Sequence, residues 1–269
     1  LRLGAAMGGT SPLRDKLYLV DHGTPISGLG DWAEQLIAES TGKEGKGLLP
    51  VVLDRPGAGA PPADATVVRL VADDGEDEVP VAPSTVDVGG SLGAQFLLWE
   101  TATAVAGRLL GINPFDQPDV ESAKQAARDL MSGDGATASE PDLTDGPVTV
   151  SHAGGDWLGG ASTLDEAVTA LLDQLDPDHG YVAVMAYLDR EGDAPFAEVA
   201  DALAERVDRP VTFGWGPRFL HSTGQYHKGG PATGVYMQVT DEPRQDLPVP
   251  GRDFTLGEFI AAQAGGDGQ

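Results

Sequence analysis

Apolar positions recur along this chain in two rhythms. Short apolar runs at 16–20, 48–53, 66–71, 181–187, 211–213 and 235–239 have the length and residue choice of strands. Between them the spacing turns helical. In 31–39, DWAEQLIAE, Trp32, Leu36 and Ile37 fall on one face. Residues 96–111 form an apolar helix-like run, and 163–175 turn Leu164, Val168, Leu171 and Leu172 inward. Further helices are expected over 196–207 and 255–264, and residues 1–7 read as the end of a helix already under way. The order strand, loop, helix, strand over 15–53 is a βαβ unit, which calls for a parallel sheet covered by helices. The expected fold is therefore α/β: a doubly wound parallel sheet sandwiched by helices, with a second α/β portion at the C-terminus.

Punctuation divides the chain. Residues 132–147, SGDGATASEPDLTDGP, are small, acidic and proline-containing, as linkers are. The expected division is a domain over 1–131, a linker over 132–147 and an α/β portion over 148–269. Residues 54–64 are rich in Pro and Ala, and 73–78 are a solvated acidic run. Ser91, after Gly89 and Gly90, is placed to cap the long helix that follows.

Composition narrows the function. A chain of 269 residues with 41% hydrophobic content can bury an ample core. It has no run of eighteen apolar residues and no signal peptide, so a cytoplasmic location is expected. The absence of cysteine removes disulfides, thiol catalysis and Cys-type metal sites. A net charge of -25 argues against nucleic acid and anionic membranes as partners. It leaves room for a small anion, because a few local cations can hold one. The chain begins with Leu1 rather than Met, and it is expected to be a piece of something longer.

Three stretches concentrate chemistry. The first, 39–47, is ESTGKEGKG, a polar glycine-rich loop at a strand edge, where open α/β sheets place ligands. It lacks the order of a phosphate-binding P-loop, because Lys43 is followed by Glu44. One reading is a helix C-cap, with Gly42 left-handed and Lys43 and Lys46 at the dipole end. The other is a ligand loop offering Glu39, Ser40, Thr41 and Lys43. The second stretch is the turn Asn113-Pro114-Phe115-Asp116-Gln117-Pro118. Pro118 suits the first turn of a new helix, and Asp116 or Asp119 can cap it. Gln117 and Glu121 then share a face over its N-terminus; a capped helical hairpin accounts for the same spacing. The third stretch, 216–231, gathers Arg218, His221, His227 and Lys228 in a glycine-bounded loop suited to proton transfer and anion neutralisation. His221 and His227 lack carboxylates close in sequence and no H-E-x-x-H occurs, so no metal is expected.

These stretches carry a resemblance. GRLLGINPFDQPDVESAK, residues 107–124, resembles the C-terminal signature of phosphoglucose isomerases, with Asp119 where that family usually has Gly. EQLIAESTGKEGKG resembles the family's E-S-x-G-K segment, and most of all the AESTGK-x-GKG of members fused to transaldolase. FLHSTGQYHKGGPATGV is similar to YLHSTGQLHKGGPNTGV in that subgroup. A G-E-P-G-T-N-G-Q-H motif of the longer isomerases is absent, so the base has to come from elsewhere or is missing. The resemblance implies a second sugar-isomerase domain over 1–131 and interconversion of glucose 6-phosphate and fructose 6-phosphate, a step of glycolysis and gluconeogenesis. Glu39 is implied as the base, with Glu121 second, and Lys228 with His221 or His227 in ring opening. Ser40, Thr41, Lys43, Gln117 and Arg218 are left to hold oxygens or phosphate. It also implies a homodimer, no cofactor, and an N-terminal sugar-isomerase domain lying upstream of this chain, and leaves open whether a transaldolase domain is fused there. The alternative from another class is a sugar-phosphate-binding module without turnover.

Overall fold

The computed structural model describes residues 1–53, 61–72, 84–116, 131, 140–243 and 245–267. Four parallel strands form the first sheet: β1 (Lys16–His22), β2 (Leu49–Leu53), β3 (Ala65–Val71) and β4 (Thr85–Val88), in the order β2-β1-β3-β4. Helices α1 (Arg2–Gly8), α2 (Leu29–Thr41) and α3 (Leu92–Leu110) flank it. Leu17, Leu19, Val68, Leu70 and Val88 alternate toward the helices and meet Ala33, Ile37, Trp99, Ala102 and Ala106. Each large side chain fully buried here contributes about 1.5–3 kcal/mol. α1 lies directly on α3 because Gly8 faces it: a Cβ there would fall 2.9 Å from the Ala106 Cα.

The second sheet is also parallel. It comprises β7 (Tyr181–Tyr187), β8 (Val211–Trp215) and β9 (Gly234–Thr240), in the order β8-β7-β9. Every residue of β7 is buried, because both faces are covered. Val182 and Val184 pack with α4 (Leu164–Leu172) and α5 (Val199–Val207), while Tyr181 and Ala183 share a core with Tyr18, Val20, Leu49 and Val51 of the first sheet. The two sheets are therefore joined by a common core. A short hairpin of β5 (Leu143–Asp145) and β6 (Val148–Val150), the small helix α6 (Gly224–Gly229), the closing helix α7 (Leu256–Asp267) and two 3₁₀ turns, Ala194–Glu198 and Arg218–His221, complete the described elements.

The α/β expectation holds, and so do most element positions. β4, β5 and α6 are absent from the sequence reading; β5 has three residues and falls within the stretch 132–147 expected as a linker. β4 has only four residues, and α6 has only six, interrupted by glycines. Ser91 occupies the N-cap position of α3, but its side chain makes no capping bond. Gly111 closes α3 in the left-handed region, its N–H donating to the Gly107 carbonyl.

Candidate functional site

α2 runs back along β1, so its last turn and the loop 42–47 lie at the amino edge of the sheet, leading into β2. The expected ligand position of an open α/β sheet is the opposite, carboxyl edge. The reason for this loop's form is therefore different. Gly42 is not left-handed; φ is -75° and ψ 77°. Glycine is needed because a Cβ there would overlap the backbone of Tyr226 in α6. The positive φ angles fall instead on Glu44, Gly45 and Gly47.

Three chemically rich segments meet at this loop. Gln225, fully buried, donates through Nε2 to the Gly42 carbonyl at 2.7 Å. The Gly45 N–H donates to the Gly229 carbonyl at 2.9 Å. From the second segment comes Asp116. The Lys43 ammonium, 1% exposed, donates to its backbone carbonyl and lies 3.0 Å from its Oδ1. That contact, with help from Asn113, holds the Asp116 carboxyl below the usual carboxylate range. Lys46 donates to the Leu110 carbonyl at 3.0 Å, at the negative end of α3. Both lysines of the loop thus fasten the turn after α3, rather than the end of α2. Thr41 is likewise engaged: its hydroxyl donates to the Ile37 carbonyl and accepts from the Leu48 N–H.

The third segment runs beside α2. A 3₁₀ turn, Arg218–His221, leads into α6. The Arg218 guanidinium reaches across to α2, where Nη1 is 3.9 Å from Glu34 Oε1 and Nη2 donates to the Asp31 carbonyl at 3.5 Å. His221 is exposed, Lys228 is partly buried, and Glu39 is partly buried on the last turn of α2. His227 differs. Its ring lies among Tyr181 and Tyr236, and both ring nitrogens are sealed from solvent without a hydrogen-bond partner among the described residues. Burial, with the nearby Lys228 charge, pushes it down to about 3, which keeps the ring neutral near pH 7. Gln117 and Glu121 lie outside the described residues. Ser40 is partly buried beside Glu39.

Glu34 escaped the sequence reading. It falls within the buried stripe Ala33, Ile37, Ala38, Thr41 of α2, and an acid in such a stripe was the available signal. Burial pushes its carboxyl up to about 7; Arg218 opposes this, Asp31 adds to it and Ser222 opposes it. Gln225 was also missed, because nothing local distinguishes a clamp from a solvated amide.

Among the described residues no group of three or more His, Asp or Glu stands close enough to hold a metal ion. Cavities of about 220 and 620 Å³ lie elsewhere, one beside Asp21, Thr24 and Ser27, the other beside Arg14, Asp64 and His179. Neither is lined by Glu39, Lys43, Arg218 or His221, although the first is lined by Asp31, whose carbonyl accepts from Arg218; the candidate site is the junction of segments, which gathers the chemistry-bearing residues.

Three curated relatives share one activity in their names. Over an alignment of 147 positions that covers 36% of its length, the chain is 32% identical to glucose-6-phosphate isomerase of Heliobacterium modesticaldum. It is 44% identical over 52 residues, 19% of its length, to glucose-6-phosphate isomerase of Exiguobacterium sibiricum. Over 43 residues, 16% of the chain, it is 46% identical to a protein of Methanococcus maripaludis named probable glucose-6-phosphate isomerase. The matches cover 33%, 12% and 10% of those relatives, so this chain spans a third of their length or less. No family model matches it. No helix among the described residues is long and apolar enough to cross a membrane.

Proposed function

We propose that this chain is part of an aldose–ketose isomerase that interconverts glucose 6-phosphate and fructose 6-phosphate, in the transaldolase-fused subgroup its motifs resemble. The observation that carries the reading is the junction itself. Gly42, Asp116 and Gln225 come from three stretches far apart in sequence and are joined through the 42–47 loop. Glu39 borders that loop as the base. It takes the proton from C2 of the open-chain aldose and electrons move to the O1 carbonyl oxygen as an enediolate forms; the proton then returns to C1 while the O2 hydroxyl proton passes to O1, leaving the C2 ketone. A partly buried carboxylate suits this if its surroundings raise its proton affinity. His221 and Lys228 are the candidates for opening the sugar ring, since the nitrogens of His227 are sealed. Arg218 is the candidate for holding phosphate, and Ser40 for a sugar hydroxyl. Gln117 and Glu121, one and five positions beyond Asp116 in the sequence, are proposed as substrate-binding residues. The complete active unit is proposed to include an upstream sugar-isomerase domain and a second subunit.

Binding without turnover is a second reading, favoured by one observation. Lys43 and Thr41, two of the ligand-loop candidates, are already committed within the protein. Adding fructose 6-phosphate to this chain, and to any longer polypeptide containing it, and following glucose 6-phosphate through a coupled dehydrogenase separates the two. Glu39→Gln is expected to lower turnover at least about a hundredfold while leaving the melting curve unchanged. A variant as active as the parent removes Glu39 as the base.

A further inference from the structure

Glu34 is 9% exposed, and an ionised carboxylate in that position is costly unless compensated. Its compensation is incomplete. Arg218 Nη1 stops 3.9 Å away, beyond hydrogen-bond reach, and Nη2 makes only a long 3.5 Å contact to the Asp31 carbonyl. The Arg218 side chain is 44% exposed and carries five N–H donors, so it is within reach of a ligand from solvent. The pair therefore has an inner acid and an outer, half-satisfied guanidinium, placed on the segment that also carries His221.

We propose that Glu34 is a positioning residue for an anion site at Arg218: it holds the guanidinium from beneath, and its charge state sets how strongly Arg218 binds the phosphate of a sugar phosphate. This rests on the reading of the 218–229 segment as part of a sugar-phosphate site and deepens it. An ionised Glu34 draws Arg218 inward and cancels much of its charge. A protonated Glu34 leaves that charge to a ligand. The groups facing Glu34 are Arg218 and the Ser222 hydroxyl from the neighbouring turn and Asp31 from its own helix. Because burial places Glu34 near 7, both forms are populated at neutral pH. A bound phosphate competes with Glu34 for Arg218, and by linkage its binding raises the proton affinity of Glu34. Anion binding is then accompanied by proton uptake.

Calorimetric titration with fructose 6-phosphate and with inorganic phosphate, at about pH 6.5 and about pH 8 in two buffers of different ionisation enthalpy, tests this. The parent chain is expected to take up protons on binding at about pH 8, where the ligand is already dianionic. Glu34→Gln is expected to abolish that uptake and to bind on the order of tenfold tighter than the parent at the higher pH, with the two converging at the lower pH. Arg218→Met is expected to lose binding at both. Proton uptake that persists in Glu34→Gln, Arg218→Met binding like the parent, or no phosphate binding at all overturns the proposal. The uptake measurement on the parent chain needs no variant to fold. The readout is binding, so it stands apart from turnover: uptake and its loss in Glu34→Gln, with no isomerisation by this chain or by a longer polypeptide containing it, would sink the isomerase reading and leave this one in place.

Discussion

At the scale of single residues, two buried titratable groups pull the pH dependence of stability in opposite directions. Glu34 has a folded value near 7 against an ordinary 4.5. The folded state therefore holds its proton more tightly, and its contribution is greatest at acid pH and is lost as pH rises from about 4.5 through about 7. Full loss amounts to about 3 kcal/mol. Glu34→Gln mimics the protonated form, and chemical denaturation at about pH 5 and about pH 8 is expected to show it more stable than the parent only at the higher pH. His227 behaves in reverse. Its folded value near 3 lies below the ordinary 6.5, so stability is intact above 6.5 and falls as pH drops toward 3. His227→Phe keeps the ring among Tyr181 and Tyr236 and removes two sealed nitrogens. Its melting temperature is expected to exceed that of the parent, most of all at about pH 5. Neither effect is visible in local sequence: Glu34 and Glu39 read alike, as do His221 and His227, until burial separates them.

At the scale of elements, the contact between α2 and α6 is the joint on which the candidate site depends. It is made of backbone, with Gly42 against Tyr226, Gly45 bonded to Gly229, and the Gln225 amide on the Gly42 carbonyl. Close approach of two backbones tolerates no side chain between them. Gly42→Ala is expected to cost about 1–3 kcal/mol by overpacking, which chemical denaturation reads. It is also expected to weaken sugar-phosphate binding more than the stability loss explains, because α6 and the turn before it must shift away from α2. The strands were largely legible: β7 reads as a fully buried run and is one, since an all-apolar heptad of residues has only one place to go. α6 was not, because six residues with glycine at either end carry no helical period and are held helical by packing against α2.

At the scale of the whole molecule, charge and core work separately. Only 17 Lys and Arg balance 42 Asp and Glu, and several of the cations are spent on joints. Lys43 and Lys46 fasten the turn after α3. Arg209 ties the second sheet to the first, donating to Asp64 at 2.8 Å and to the Gly180 carbonyl at 2.9 Å, while Lys16 approaches Asp64 from β1. Burial works to raise the Asp64 carboxyl, but Arg209 and Lys16 outweigh it and leave it below the usual carboxylate range. The remaining acids repel one another across the surface. Raising sodium chloride from about 0.1 M to about 1 M shortens the screening length from about 10 to about 3 Å, and the melting temperature is expected to rise with it. A fall would mean that the joints rather than the repulsion dominate. Hydrophobic period alone determined that this is an α/β chain with parallel strands and where most of its elements lie, because that period is a local property that the chain must satisfy wherever it folds. The spending of Lys43 on Asp116, the sealing of His227 and the pairing of Glu34 with Arg218 were decided only in the tertiary structure, because burial and partner are properties of neighbours that the chain brings together from as far as 187 positions away.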